Sequence, residues 1–209
     1  MLPDALPGKP PLIAILRGVV PERVVRIGQI VFDAGFRIIE VPLNSPRALQ
    51  SLALLARSFE ETCLCGAGTV LDVGDVGRVQ EAGGRLIVTP NTDAGLITEA
   101  CSRGLAIIPG FATPSEAFTA IRAGATHLKL FPASTYGPAH LKAVKAVLPP
   151  NIHVYAVGGI GAEEMNAWRA AGASGFGFGS ELFRPDYDDD DIAARARHLI
   201  ESIAPITTT

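Results

Sequence analysis

The sequence has few charged side chains and lacks the patterns that mark nucleic-acid-binding and membrane proteins. Only 19% of its 209 residues are charged and the net charge is −3, so we expect no basic surface for nucleic acid. No apolar run reaches the roughly 18 residues that a membrane-spanning helix needs. The first residues also show no basic segment ahead of a signal-like apolar run. We therefore predict a cytoplasmic protein that binds neither nucleic acid nor membrane.

Cysteine and histidine are too sparse for a metal site or a disulfide framework. The three cysteines, Cys63, Cys65 and Cys101, are odd in number and form no CxxC. The four histidines lie far apart along the chain and show neither HExxH nor HxH spacing. We predict no metal and no cofactor. The acidic run 184–191, most simply a solvated loop, and the N-terminal arm leave a metal-binding patch open as an alternative.

Hydrophobic residues are abundant, at 48%, which suits a large continuous core. They occur in a repeated sequence pattern. In each repeat of this pattern, a helix-like stretch ends at a glycine and a short apolar run follows. The glycines that end these stretches are Gly35, Gly83, Gly104, Gly124 and Gly172. Together with three further apolar runs, at 12–18, 62–70 and 152–160, the pattern predicts eight strands.

The segments between the predicted strands have helical spacing, and strand starts fall roughly 20 to 26 residues apart. Several segments open with a helix-start signal: Pro21, Ser45 before Pro46, and Thr113 before Glu116. We predict an α/β fold, a single (β/α)8 TIM barrel over 1–209, with an N-terminal arm at 1–11 and an acidic loop and C-terminal helix at 184–209. A doubly wound open sheet is the alternative, but no GxGxxG follows the first strand.

Polar side chains interrupt the predicted strands near their carboxyl ends, where barrel enzymes carry their chemistry. Lys129 is the clearest case, because it lies between two leucines in an apolar strand. An edge strand, a snorkelling stem or a buried ion pair would each account for it without catalysis. The other interruptions are Arg17, Glu40, Asn44, Thr69, Thr89 to Asn91, and Pro109 to Gly110.

A buried lysine beside a buried carboxylate suits covalent chemistry at a keto acid. A desolvated Lys129 amine could attack a ketone to form a Schiff base, and Glu40 could move the protons. Arg17 could bind the substrate carboxylate through a bidentate contact, although a salt bridge at the barrel rim would also explain it. A Glu40–Lys129 ion pair with no chemistry remains an alternative.

Glycines at the ends of the last two predicted strands indicate a phosphate site. Gly158, Gly159 and Gly179 leave backbone N–H groups free to converge on an anion, and Ser180 adds a hydroxyl donor. Glycine can also simply end a barrel strand.

With these residues in hand, the chain resembles the class I aldolases of 2-keto-3-deoxy-6-phosphosugar acids. The resemblance covers about residues 12 to 185 through "AILRG", "IEVPLNSP", "GAGTVL", "LIVTPN", "PGFAT", "LKLFPAS", "AVGGI" and "GFGSELF". It implies a homotrimeric TIM barrel without a cofactor. It also implies cleavage of a phosphorylated keto sugar acid to pyruvate and glyceraldehyde 3-phosphate.

The same resemblance implies the residue roles. Lys129 matches the Schiff-base lysine and Glu40 the general acid/base. Thr69 and Pro90 would line the pyruvate pocket, and Phe131 would pack over the imine. Gly158, Gly159, Gly179 and Ser180 would hold the phosphate. The stretch "EVPLNSP", with Asn44 and Arg17, resembles the phosphogalactonate branch more than "EVTLRT" of the phosphogluconate branch, and Val157 points the same way.

The sequence is also compatible with other functions. The substrate could be the gluconate epimer, or both epimers. A phosphate-binding barrel that isomerises or epimerises a sugar phosphate without a Schiff base is a more distant alternative. A non-catalytic sugar-phosphate sensor is a third, although a binder has no need for a buried lysine beside a carboxylate.

Overall fold

The structure is a computed structural model that describes residues 11–203, so nearly all of the predicted N-terminal arm lies outside the described residues. Parallel strands alternate with helices along the chain. The strands are β1 (Leu12–Ile15), β2 (Ile38–Pro42), β3 (Leu64–Gly68), β4 (Leu86–Val88), β5 (Ala106–Ile108), β6 (Gly110–Phe111), β7 (His127–Leu130), β8 (His153–Val157) and β9 (Gly175–Phe178). Their order in the sheet is β5-β4-β3-β2-β1-β9-β8-β7-β6.

The two outer strands of this order, β5 and β6, are consecutive parts of one stretch of chain. They are separated only by Pro109, which has no N–H to donate to a strand ladder. The Pro109 carbonyl still accepts from the Lys129 N–H at 2.8 Å, so the stretch pairs with β4 on one side and β7 on the other. The sheet therefore closes into a (β/α)8 barrel, as the sequence predicted.

Helices connect successive strands on the outside of the barrel. They are α1 (Pro21–Ala34), α2 (Ala48–Phe59), α3 (Val73–Glu81), α4 (Ala94–Ser102), α5 (Pro114–Arg122), α6 (Ala133–Lys145), α7 (Met165–Ala170) and α8 (Asp189–Glu201), with a 3-10 turn at Ala162–Glu164. All five glycines predicted to end helices have positive φ angles, between 71° at Gly104 and 122° at Gly35. Within the described part of the chain, no helix is long and apolar enough to cross a membrane.

Two of the predicted helix starts are confirmed and one is wrong. Pro21 opens α1, and Thr113 and Glu116 form a capping box at α5. The Ser45-Pro46 pair does not begin a helix, because α2 starts at Ala48 after Arg47. The Ser45 hydroxyl instead accepts from the Gly18 N–H at 2.9 Å.

The acidic run is only in part the solvated loop that the sequence predicted. Asp188 caps α8 by accepting from the Asp191 N–H, and three aspartates lie in the first turn of that helix. Carboxylates are favoured there because they oppose the positive end of the helix dipole. Asp189 also contacts Arg23 and Arg26 of α1. Among residues 11–203 no three His, Cys, Asp or Glu side chains are grouped to hold a metal ion.

The strand alternation divides the core into two layers. One layer fills the barrel and includes Ile13, Ile38 and Tyr155. The other lies between the strands and the helices. Although His127 and His153 are far apart in sequence, parallel register places them opposite each other, and their rings stack at 4.8 Å.

Candidate active site

Lys129 lies inside the barrel. Its neighbours Leu128 and Leu130 pack in the outer layer, so the alternation of β7 turns the lysine side chain inward. The residue is 7% exposed. The Lys129 pKa is lowered to about 8, chiefly by burial; the nearby Glu40 charge opposes this shift and the Arg17 charge adds to it. The neutral fraction of this amine near neutral pH is therefore far larger than that of an ordinary lysine, which favours a nucleophilic role.

Glu40 lies inside the same barrel on β2, with 3% of its surface exposed. Burial raises its pKa to about 7, against the opposing charges of Lys129 and Arg17 and the backbone of Gly68. The carboxylate and the Lys129 amine form no direct ion pair within 4.0 Å, yet each charge shifts the pKa of the other. One carboxylate oxygen, Oε2, is buried without a hydrogen-bond partner within the described chain. The two groups influence each other's charge without a direct ion pair, so the Glu40 carboxyl group can exchange protons near neutral pH.

Arg17 follows β1 and extends across the top of the barrel to the ends of β2 and β3. Its guanidinium donates to Asn44 Oδ1 at 2.6 Å and to Thr69 Oγ1 at 3.2 Å. No carboxylate oxygen lies within 4.0 Å of it among the described residues. The rim salt bridge considered as an alternative is therefore not what holds this side chain.

The two residues expected to line the pyruvate pocket, Thr69 and Pro90, and Phe131, expected to pack over the imine, all follow strands on this face. Thr69 follows β3 and has a φ of 53°, which is unusual for a β-branched residue. Phe131 follows β7, and the Lys129 Nζ lies 4.8 Å from its ring centroid. Pro90 follows β4, and its carbonyl lies against Gly110: a Cβ added at Gly110 would be 2.3 Å from the Pro90 carbonyl oxygen. Phe131 is thus in contact range of the amine, while Thr69 is linked to the site through Arg17.

The predicted phosphate-binding glycines lie after β8 and β9. Gly158 and Gly159 have φ angles of 100° and 69°, so the chain turns there in a conformation that favours glycine. A Cβ at Gly179 would have no atom within 4 Å. Ser180 is exposed, and its hydroxyl donates to Glu181 Oε1 at 3.2 Å. The four residues lie at neighbouring strand ends, and Ser180 would have to rotate away from Glu181 to donate to an anion.

Three features of this site are not evident from the sequence. Gly68 is in contact with the Glu40 carboxylate, and a Cβ there would lie 1.9 Å from Oε2. Asn44, a polar residue after β2 in the sequence, proves to be a hydrogen-bond partner of Arg17. Ser134 lies against the glycine turn, since its N–H donates to the Gly158 carbonyl at 3.0 Å and its hydroxyl lies 2.5 Å from where a Gly159 Cβ would be. For Gly68 the available signal was a glycine inside a strand, which often marks a close approach.

Comparison with known proteins identifies relatives along almost the whole chain. The family model described as "Aldolase: KDPG and KHG aldolase" matches residues 7–197. The 2-dehydro-3-deoxy-6-phosphogalactonate aldolase of Escherichia coli (strain K12) is 44% identical over 194 residues, which is 93% of this chain and 95% of that protein. A solved structure described as native KDPGal matches with a TM-score of 0.91 at 43% identity, over 95% of this chain and 97% of that one.

A more distant structure bears on the chemistry of the family. It is KDPG aldolase from Legionella pneumophila with pyruvate captured at low pH as a covalent carbinolamine intermediate. Its TM-score is 0.79 at 27% identity, over 93% of both chains. The extent of these matches, together with the barrel and its buried lysine, shows that the chain belongs to the KDPG and KHG aldolase family.

Proposed function

We propose that this protein is a class I aldolase that cleaves 2-dehydro-3-deoxy-6-phosphogalactonate to pyruvate and D-glyceraldehyde 3-phosphate. The observation that carries the proposal is the buried pair on β2 and β7. The Lys129 pKa is lowered and the Glu40 pKa is raised, so a neutral amine and a proton-exchanging carboxyl group coexist near neutral pH. The Escherichia coli relative that carries this activity in its name supports the choice of substrate.

In the proposed reaction the neutral Lys129 amine attacks the C2 carbonyl of the keto acid. Glu40 protonates the carbinolamine oxygen, which leaves as water, and an iminium forms. Transfer of the C4 hydroxyl proton to Glu40, directly or through water, breaks the C3–C4 bond and releases glyceraldehyde 3-phosphate. The bonding electrons move into the iminium and leave an enamine. Protonation of the enamine at C3 and addition of water then release pyruvate and restore the amine.

The two ends of the substrate would be held by different strand ends of the barrel. Arg17 is not paired with a carboxylate among residues 11–203, and its positive charge would bind the substrate carboxylate. The backbone N–H groups after β8 and β9, at Gly158, Gly159 and Gly179, would bind the phosphate, with the Ser180 hydroxyl as a further donor. Binding far from the reacting bond would then orient C2 toward Lys129.

Borohydride trapping with pyruvate tests the Schiff base directly. Reduction should add the mass of reduced pyruvate to a peptide that contains Lys129. Lys129→Ala should abolish both trapping and cleavage while the fold is kept, whereas Lys142→Ala, at an exposed site on α6, should leave both unchanged. Wild-type protein that gains no mass would form no Schiff base, as expected of an isomerase, an epimerase or a sensor, and the proposal would be wrong.

Substrate choice is tested by comparing the two C4 epimers in an assay that couples pyruvate formation to lactate dehydrogenase. We expect a higher kcat/KM for the galactonate form than for the gluconate form. Equal values would indicate a dual-specificity enzyme, and a wide preference for gluconate would refute the interpretation of "EVPLNSP". Saturable binding without turnover of either epimer would indicate a sensor. The homotrimer and the cytoplasmic location stay predictions, and sedimentation would test the first.

A further inference from the structure

The guanidinium of Arg17 is held by two oxygens that carry no net charge. Asn44 Oδ1 accepts from one terminal nitrogen at 2.6 Å, and Thr69 Oγ1 accepts from the other at 3.2 Å. These contacts join the ends of three adjacent strands, β1, β2 and β3. They restrict a long exposed side chain that would otherwise sample many rotamers. The two contacts therefore fix the direction of the cation without supplying a counter-charge.

The absence of a contacting carboxylate distinguishes Arg17 from some arginines of the described chain, although Arg37 and Arg85 are likewise held by neutral carbonyl oxygens. Arg47, in the loop that follows Asn44, is paired with Glu22 at 2.7 Å, and Arg26 is paired with Asp189 at 2.9 Å. Within residues 11–203, Arg17 takes part in no ion pair of 4.0 Å or less. A carboxylate at this position would hold Arg17 equally well but would compete with a substrate carboxylate for the same donors.

The backbone around this contact is itself fixed by neutral groups. The Ser45 hydroxyl is buried and accepts from the Gly18 N–H at 2.9 Å, which ties the loop after β1 to the loop after β2. Thr69 has a positive φ of 53°, a conformation that a β-branched residue keeps only where its surroundings enforce it. The backbone beside Asn44 and the acceptor Thr69 are therefore both restrained before any ligand binds.

We propose that Asn44 is a positioning residue for the substrate carboxylate: it orients Arg17 through a neutral hydrogen bond and leaves the guanidinium charge available to the keto acid. The inference rests on the proposed function, in which Arg17 binds that carboxylate. It predicts that both the acceptor oxygen and the lack of charge at position 44 matter. A purely structural role would require only the acceptor.

The test measures reductive trapping of pyruvate, which reports carboxylate binding at the reacting lysine. The variants are Asn44→Ala, which removes the acceptor, and Asn44→Asp, which keeps the acceptor and adds a charge. Each is made in the wild-type chain and in Arg17→Ala. Asn151→Asp, at an exposed site before β8 and at the other end of the barrel, is the matched control for an added charge. Thermal unfolding is recorded for every variant.

We expect Asn44→Ala and Asn44→Asp each to raise the half-saturating pyruvate concentration about tenfold or more, with the maximal trapping rate within about threefold. Asn44→Asp should keep the wild-type unfolding temperature, and Asn151→Asp should behave as wild type. In the Arg17→Ala background, Asn44→Ala should change the half-saturating concentration less than about twofold, because its partner is already absent.

Three results would overturn the inference. Asn44→Asp that binds pyruvate as tightly as wild type would mean that only the acceptor matters. An Asn44→Ala effect of equal size with and without Arg17 would mean that Asn44 does not act through Arg17. A lower unfolding temperature in Asn44→Ala, with pyruvate binding unchanged, would mean a structural role. Wild-type protein that is not trapped by pyruvate would refute the proposed function itself, and this inference with it.

Discussion

Replacement of Gly68 by alanine tests whether the Glu40 carboxylate must lie where the structure places it. A Cβ at Gly68 would lie 1.9 Å from Oε2 and 2.3 Å from Oε1, whereas ordinary contacts begin at 3.4 Å. The carboxylate would therefore have to move by about 1.5 Å, since steric contacts are hard. Misplacement of a reacting group by about 1 Å can lower the rate about 100-fold. We expect Gly68→Ala to lower kcat by about that factor.

The same methyl group also overpacks the barrel interior, and this cost must be separated from the catalytic one. Overpacking typically removes about 1–3 kcal/mol of stability, which lowers Tm by about 2–4 °C for each kcal/mol in a chain of this size. Thermal unfolding would be measured beside the coupled pyruvate assay. Gly161→Ala is the matched control, because Gly161 has a φ of −106° and a Cβ there would meet no atom within 4 Å.

A second variant keeps the test decisive if Gly68→Ala folds poorly. Aspartate at position 40 is one methylene shorter and withdraws from the new methyl group, so Gly68→Ala with Glu40→Asp should unfold at a higher temperature than Gly68→Ala alone. A folded Gly68→Ala protein with kcat within about threefold of wild type would show that the proton relay does not depend on this position of Glu40. The reasoning about the buried pair would then be wrong.

Two further predictions concern the charges of the site and the start of α8. Competitive labelling with acetic anhydride should give a Lys129 pKa well below the ordinary 10.5. Glu40→Gln should lower the Lys129 pKa further, because the Glu40 charge raises it. Arg17→Ala should raise the Lys129 pKa, because the Arg17 charge lowers it. Shifts of the opposite sign would contradict the electrostatic account. Asp188→Ala should lower the free energy of unfolding by about 1 kcal/mol through loss of the helix cap, measured by denaturant titration. Asp190→Ala removes the same charge without the cap and should cost less, so equal losses would mean that the cap contributes little.

The barrel could be predicted because its local signals and its topology agree. Glycines such as Gly35 and Gly124 end helices in a backbone conformation that other residues rarely adopt, and an apolar strand follows each at nearly constant spacing. Closure of the sheet follows from that count of strands. The start of α2 was wrong for a local reason: Ser45 has the chemistry of a helix cap, but a neighbouring loop uses its hydroxyl.

The burial of Lys129 and Glu40 could also be predicted, because a charge between apolar strand residues has few explanations. Lys129 and Glu40 each interrupt a strand whose neighbouring positions are hydrophobic, so both were expected inside the barrel. What the sequence could not supply is the shape around them. The need for glycine at position 68 depends on the length of the Glu40 side chain that reaches it from the adjacent strand.

The orientation of Arg17 shows why charge patterns alone were insufficient. From the sequence, an arginine at the barrel rim was compatible with a salt bridge or with substrate binding, because both need only a guanidinium. The two functions differ in the partners of the guanidinium. A carboxylate partner would neutralise its charge. The amide oxygen of Asn44 and the hydroxyl of Thr69 orient the guanidinium without adding a negative charge beside it. Such neutral partners come from different strand ends, 27 and 52 residues away. Only the folded barrel brings them together, and it is this choice of uncharged neighbours that makes Arg17 suitable for an anionic substrate.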